Sequence, residues 1–216
     1  MRIFSISSGV LVWMLMRALS RKTPHPCPAC VARRAAELIR PGDLLYLDAG
    51  TTMLALARLL AARPAAERVD VVTNDLAVAA AVGEHPGAQI HVLGGRLDAG
   101  NLSTDGPTAA AELAGFNIDL AFISASSFDL RGLSVPTEGK AIVKRSIAEH
   151  ADRCVLVADS SKYGRVSTFK ALPLRAFDAI VTDPALPDAV RDRATAVGVD
   201  LLLTPLPDPS HVGEHP

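Results

Sequence analysis

Five apolar runs in this chain end in small polar residues, and those ends carry the groups able to hold a ligand. Residues 44–47 run into Asp48-Ala49-Gly50-Thr51-Thr52, and 69–72 into Thr73-Asn74-Asp75. Residues 89–93 close on Gly94-Gly95, 119–123 on Ser124-Ala125-Ser126-Ser127, and 154–158 on Asp159-Ser160-Ser161-Lys162. Gly50 lets the backbone turn sharply and lets an anion come close. Thr51 or Thr52 is expected to cap the helix that follows. The free N–H groups and dipole of that helix end favour a phosphate. The segment has neither the GxxxxGK[ST] nor the GxGxxG spacing. One such loop alone reads as a plain turn and cap; five polar ends along one edge read as a binding cleft.

The cationic candidates are Lys140, Lys144 and Lys162. Lys162 follows a strand end and is expected to offset the charge of a bound phosphate. From spacing alone, Lys144 reads equally well as a solvated lysine and as a site residue. No catalytic residue and no metal set is expected: there is no GxSxG elbow and no metal-ligand constellation. Glu138 and Asp159 are the acidic residues left for an enzyme's general base, and no motif places either of them.

The elements that must position these groups are legible as alternating helices and strands. Helices are expected over 32–39, 53–60, 76–82, 107–113, 139–151 and 187–197. Strands are expected over 44–47, 69–73, 89–93, 119–124, 154–158, 178–182 and 201–203. The strands are near-continuous apolar runs, which means both sheet faces are covered. The fold class is therefore α/β, a largely parallel sheet with helices on both faces, whose ligands bind at the carboxyl ends of the strands.

The chain has 216 residues, 49% hydrophobic and 21% charged, with a net charge of −1. This suits one globular domain with a real core and gives no overall electrostatic reason to bind nucleic acid. Residues 1–30 are an atypical extension: an apolar stretch over 3–16, shorter than a membrane span, then a basic and Pro-rich segment. A buried or amphipathic helix, or an altered start, is favoured there over a secretory signal. Residues 31–204 form the domain, and 205–216 a flexible tail. The three cysteines, Cys27, Cys30 and Cys154, argue against a disulfide framework and fit a reducing, cytoplasmic setting. Cys27-Pro28-Ala29-Cys30 has the spacing of a redox pair or half a zinc site; ordinary cysteines are the expectation.

Taken in order, DAGTT, VVTND, LGG, KAIVKRSI and VADSSKYGR resemble the C-terminal effector domain of DeoR-type bacterial transcription regulators, over roughly residues 31–204. The resemblance implies a Rossmann-like fold shared with ribose-5-phosphate isomerase, glucosamine-6-phosphate deaminase and CoA transferases. It implies a phosphorylated sugar or related metabolite as ligand, no cofactor, no membrane, and a homo-oligomer. It puts Gly50, Thr51 and Thr52 on the phosphate and Thr73, Asn74, Gly94 and Gly95 along the sugar, with Lys144, Asp159 and Lys162 completing the site. Asp48, Ser124 and Ser126 belong to the same strand ends. DNA contact would come only through a winged helix, for which residues 1–30 show no pattern, so this chain alone is expected not to bind DNA. Ser124–Ser127 also replaces an acidic turn seen in many relatives, which bears on the sugar hydroxyls. The alternatives are a sugar-phosphate isomerase and a degenerate oligomerisation module that has lost its ligand.

Overall fold

A computed structural model describes residues 27–205. The readings made for residues 1–26 and for the tail from 206 lie outside the described residues. Along the chain the elements are α1 (Pro28–Ala36), β1 (Leu44–Leu47), α2 (Thr51–Ala61), β2 (Val69–Thr73), α3 (Leu76–Val82) and β3 (Ala88–Val92). A hairpin follows, β4 (Arg96–Asp98) and β5 (Ser103–Asp105), then α4 (Pro107–Leu113) and β6 (Leu120–Ser124). After these come β7 (Ser127–Asp129), β8 (Gly132–Val135), α5 (Glu138–His150), β9 (Cys154–Val157), β10 (Phe169–Pro173), β11 (Ala179–Thr182), α6 (Asp188–Ala196) and β12 (Asp200–Leu203).

Seven strands form one parallel sheet in the order β12-β11-β9-β6-β1-β2-β3. Strand alternation sends successive side chains to opposite faces, and both faces are apolar. Tyr46, Val72, Ala121, Ile123, Leu156 and Ile180 pack with Leu113, Val143, Ile147 and Val190 from α4, α5 and α6. Leu45, Leu47, Val71, Phe122, Val155 and Val181 pack with α1, α2 and α3 through Val31, Ala35, Met53, Leu56, Leu60 and Val78. The expected α/β sheet covered on both sides is therefore the fold.

The strand order has a consequence for the site. From β1 the chain moves outward through β2 and β3, then returns to lay β6 on the other side of β1 and moves the opposite way through β9, β11 and β12. The elements leaving β1 and β6 thus go to opposite faces, which opens a crevice between their carboxyl ends. Ligands of open α/β sheets bind at such switch points.

Three features depart from the sequence reading. Helix α1 starts at Pro28, earlier than expected, because Cys27 caps it and Pro28 takes its first turn. Helix α2 starts at Thr51, and its N-cap is Gly50 at φ 134°, without any side-chain cap bond. Thr51 and Thr52 are thus the first helical residues and do not cap. The β4–β5 hairpin and the antiparallel sheet β10-β8-β7 had no expectation at all.

The β7–β8 turn gives a test. Gly132 sits at φ 130°, and a Cβ there would lie 2.1 Å from the Leu172 carbonyl oxygen of paired strand β10. Gly164, at φ 77°, has open space around the same position. Gly132→Ala should cost roughly 3 kcal/mol or more, from backbone strain and overpacking together. Gly164→Ala should cost about 1–2 kcal/mol, from the left-handed backbone alone. Thermal melting should separate the two by several degrees; equal losses would contradict the clash at Gly132.

Candidate functional site

A cavity of about 120 Å³ opens at the switch point, lined by residues from five strand ends and connections. Asp48 and Ala49 follow β1, Asn74 follows β2, Ser124 ends β6, and Ser126 follows it. Asn101 and Ser103 come from the β4–β5 hairpin, and Lys140, Val143 and Lys144 from α5. Val135 and Pro136 close one side.

Its floor is an ion pair. Asp48 and Lys144 are both buried, and the Lys144 Nζ donates to Asp48 Oδ2. A buried carboxylate needs several donors to remain charged. Asp48 Oδ2 also accepts from the Ser124 backbone N–H at 2.9 Å and lies 2.9 Å from the Ser124 hydroxyl. Lys144 Nζ donates further to the Ser124 carbonyl at 3.0 Å. One aspartate therefore fastens β1, β6 and α5 together at the crevice. Lys144 is therefore not a solvated lysine: it is buried, lines the cavity, and has its ammonium held by Asp48 and Ser124.

The VTND segment is chiefly scaffolding. Thr73 donates its hydroxyl to the Leu47 carbonyl at 2.7 Å and accepts from the Asp75 N–H at 3.1 Å. Asp75 caps α3 through Ala77 and Val78, and its second oxygen accepts the Gly50 N–H at 3.2 Å. Asn74 accepts from the Tyr46 hydroxyl at 3.0 Å and donates to the Thr104 carbonyl at 2.8 Å. Burial, then the Asp48 and Asp75 charges, push the Tyr46 phenol well above its ordinary range, which keeps it neutral and able to donate. This network fixes the DAGTT loop, so that the first turn of α2, with the free N–H groups of a helix start, is separated by Gly50 alone from the wall residues Asp48 and Ala49.

The hairpin tip forms another wall of the cavity. Lys140 Nζ donates to Asp98 Oδ2 at 3.0 Å. With its amide turned to suit its neighbours, Asn101 accepts from Lys140 Nζ at 3.0 Å and donates to Asp98 Oδ2 at 3.1 Å. The Lys140 hydrogen bond, then the Gly100 N–H, hold the Asp98 carboxyl below the usual carboxylate range.

Of the residues expected in the site, Asp48, Asn74, Ser124, Ser126 and Lys144 line the cavity. Gly50, Thr51 and Thr52 adjoin it as the start of α2, and Thr73 supports it from beneath. Gly94 and Gly95 shape the turn into the hairpin: the Gly94 N–H donates to Glu112 at 2.8 Å, and Gly95 has φ 117°. Asp159 and Lys162 are not in the lining. They follow β9, which is separated from β1 by β6. There Asp159 caps a short 3₁₀ turn, and Lys162 lies 4.0 Å from it. Asn101 and Ser103 are the lining polar residues that the sequence reading missed; Lys140, a cationic candidate one helical turn from Lys144, also lines the cavity.

The ion pair yields a double-mutant prediction. Asp48→Asn or Lys144→Met alone should cost about 3–5 kcal/mol, because each leaves a buried charge unpaired. The double variant should recover a large part of that loss in urea unfolding. Single losses below ~1 kcal/mol, the level of an exposed pair, would contradict the burial of this one.

Comparison with known proteins places this geometry. A family model described as the DeoR C terminal sensor domain matches residues 29–184. The HTH-type transcriptional regulator YgbI of Escherichia coli (strain K12) is 43% identical over 175 residues, covering 81% of this chain and 68% of that protein. An HTH-type transcriptional regulator of Haemophilus influenzae is 36% identical over 210 residues, covering 94% of this chain and 80% of that one. Among solved structures, eIF2B delta from Chaetomium thermophilum superposes with a TM-score of 0.52 at 16% identity, over 82% of this chain and 66% of that one, a likeness of fold alone. The chain belongs to the DeoR family of transcriptional regulators and carries its C-terminal sensor domain.

Proposed function

We propose that the domain senses a phosphorylated sugar, which it binds at the switch-point crevice. The observation that carries this reading is a polar cavity of hydroxyl and amide groups beside the uncapped start of an eleven-residue helix. Hydroxyls and amides suit a polyol, and a helix start with free N–H groups suits a phosphate. The phosphate then rests on the amides of Thr51, Thr52 and Met53, and the sugar reaches toward Asn74, Ser124 and Ser126.

The same geometry speaks against an isomerase. Aldose–ketose isomerisation requires a carboxylate base aimed at the substrate. The cavity's own carboxylate, Asp48, is held by Lys144 and by Ser124.

A cavity of about 120 Å³ lies below the usual ligand range of ~300–1,000 Å³. The part able to yield is the hairpin tip over 98–102, tied to α5 through Asp98 and Lys140. Binding then moves the tip and bears on α2, which packs against α1 at the domain's N-terminal side. The ligand shifts this equilibrium only by its differential affinity for the two arrangements.

A thermal-shift panel of sugar phosphates, parent sugars and inorganic phosphate tests the proposal. A matching phosphosugar at a hundred times its Kd adds about 2.7 kcal/mol of stability, a rise of roughly 5–10 °C for a domain of this size. Lys140→Gln should weaken that ligand about tenfold or more, as loss of a charge-assisted hydrogen bond, and Lys162→Ala should change it far less. No shift across the panel, or equal shifts from parent sugars, would overturn the proposal, and turnover of the bound sugar would establish the isomerase instead.

A further inference from the structure

Cys27 and Cys30 take no part in the ligand cavity. The expectation for them was ordinary free thiols; instead they are joined by a disulfide across the first turn of α1. Cys27 is the N-cap of that helix, and its Sγ accepts the Cys30 backbone N–H at 3.1 Å. Sulfur thus stands where a serine or aspartate oxygen usually satisfies a helix start. Both cysteines are partly exposed, whereas Val31, Ala32 and Ala35, further along the same helix, are wholly buried.

Two considerations decide what such a bond does. The first is loop length. Disulfides stabilise mainly by restricting the unfolded chain, and least when the closed loop is short. Here the sequence separation is 3, and α1 is already held by its buried face, so a stapling role contributes little. The second is the reduced state. Opening the bond leaves a thiolate at a helix start, where free N–H groups and the helix dipole lower a cysteine's pKa. A disulfide whose reduced form is stabilised in this way is readily reduced. The third cysteine differs: Cys154 is buried in β9, and burial, then Asp178, push its thiol up to about 12. It does not compete for the exchange.

We propose that Cys27-Pro28-Ala29-Cys30 is a reversible thiol–disulfide exchange site whose substrates are low-molecular-weight thiols and disulfides of the glutathione class. In the reducing direction a thiolate attacks the Cys30 sulfur, breaks the Cys27–Cys30 bond and forms a mixed disulfide. The Cys27 sulfur leaves as a thiolate, in the position where it already accepts the Cys30 N–H. A second thiolate attacks the sulfur of the bound thiol and releases its disulfide, and Cys30 takes a proton from solvent. Two thiols lose two electrons in total and the protein pair gains them. Oxidation is the reverse, with the low-molecular-weight disulfide as oxidant. In a thiol-buffered compartment, disulfides of this kind are transient and sensing, and this one lies on the helix that packs against α2.

The test is a redox titration of the full chain in buffers of graded reduced and oxidised glutathione. Native alkylation and mass spectrometry of the peptide bearing both cysteines read the outcome. The pair should pass completely between dithiol and disulfide as the square of reduced over oxidised glutathione changes, with Cys154 unlabelled until the protein is unfolded. Cys27→Ser should trap a single glutathione adduct on Cys30, and Cys154→Ser should titrate like the parent. A pair that stays disulfide-bonded at every ratio is a staple, and one that stays reduced under excess oxidised glutathione is inert. A pair that resists oxidation because it holds zinc is a metal site. Each of these three results overturns the proposal, and none depends on whether the cavity binds a phosphosugar.

Discussion

The contact between Asp48 and Lys144 is the constraint on which the site depends. Two opposite charges are buried at the one place where the sheet reverses its direction of growth. Removing such charges from water is costly, and only close pairing with further hydrogen bonds offsets it. The Ser124 N–H, hydroxyl and carbonyl supply those bonds. Sheet order and side-chain chemistry are thereby coupled: β1 and β6 must be neighbours for the aspartate to be satisfied, and α5 must cross above them for the lysine to reach. The floor of the cavity is thus electrically closed, and the rest of its polar lining consists of hydroxyls, amides and the Lys140 ammonium.

The surrounding network carries the same logic outward. Asp75 caps one helix and accepts the Gly50 N–H that precedes another, so two strand ends are held in fixed relation. Asn74 links the buried Tyr46 hydroxyl to the hairpin strand β5. The hairpin tip is fastened by a partly exposed pair, Asp98 with Lys140, and partly exposed pairs contribute least. The rigid and yielding parts of the site are therefore set by burial. Helix α2 begins at the rigid part and packs on α1, where the cysteine pair sits.

Much of this was legible in the sequence because continuous apolar runs are a strong signal for strands buried on both faces. Every strand of the large sheet was expected within a residue or so, and the polar ends that line the cavity were expected with them. The β4–β5 hairpin was not, since Arg96–Asp98 and Ser103–Asp105 are three residues each and mostly polar. Their pairing comes from tertiary contacts to Asn74, Asp75 and α5, which local pattern does not encode. Asp159 and Lys162 lie outside the cavity lining for the complementary reason. Their motif was readable, but strand order was not, and β6 stands between them and the DAGTT loop. The threonines of that loop looked like caps because Thr is a good cap; glycine in an extended, positive-φ conformation took the position instead.

The central claim is that an anion rests on the first turn of α2 at the β1–β6 crevice. Backbone amide chemical shifts, followed while the phosphosugar of highest affinity is titrated into labelled protein, test it most directly. The account predicts that the largest changes fall on Thr51, Thr52 and Met53, with Asn74, Ser124 and Ser126 following at the same midpoint. Changes centred instead on Ser160, Ser161 and Lys162 beyond β9, with the α2 amides unmoved, would contradict it.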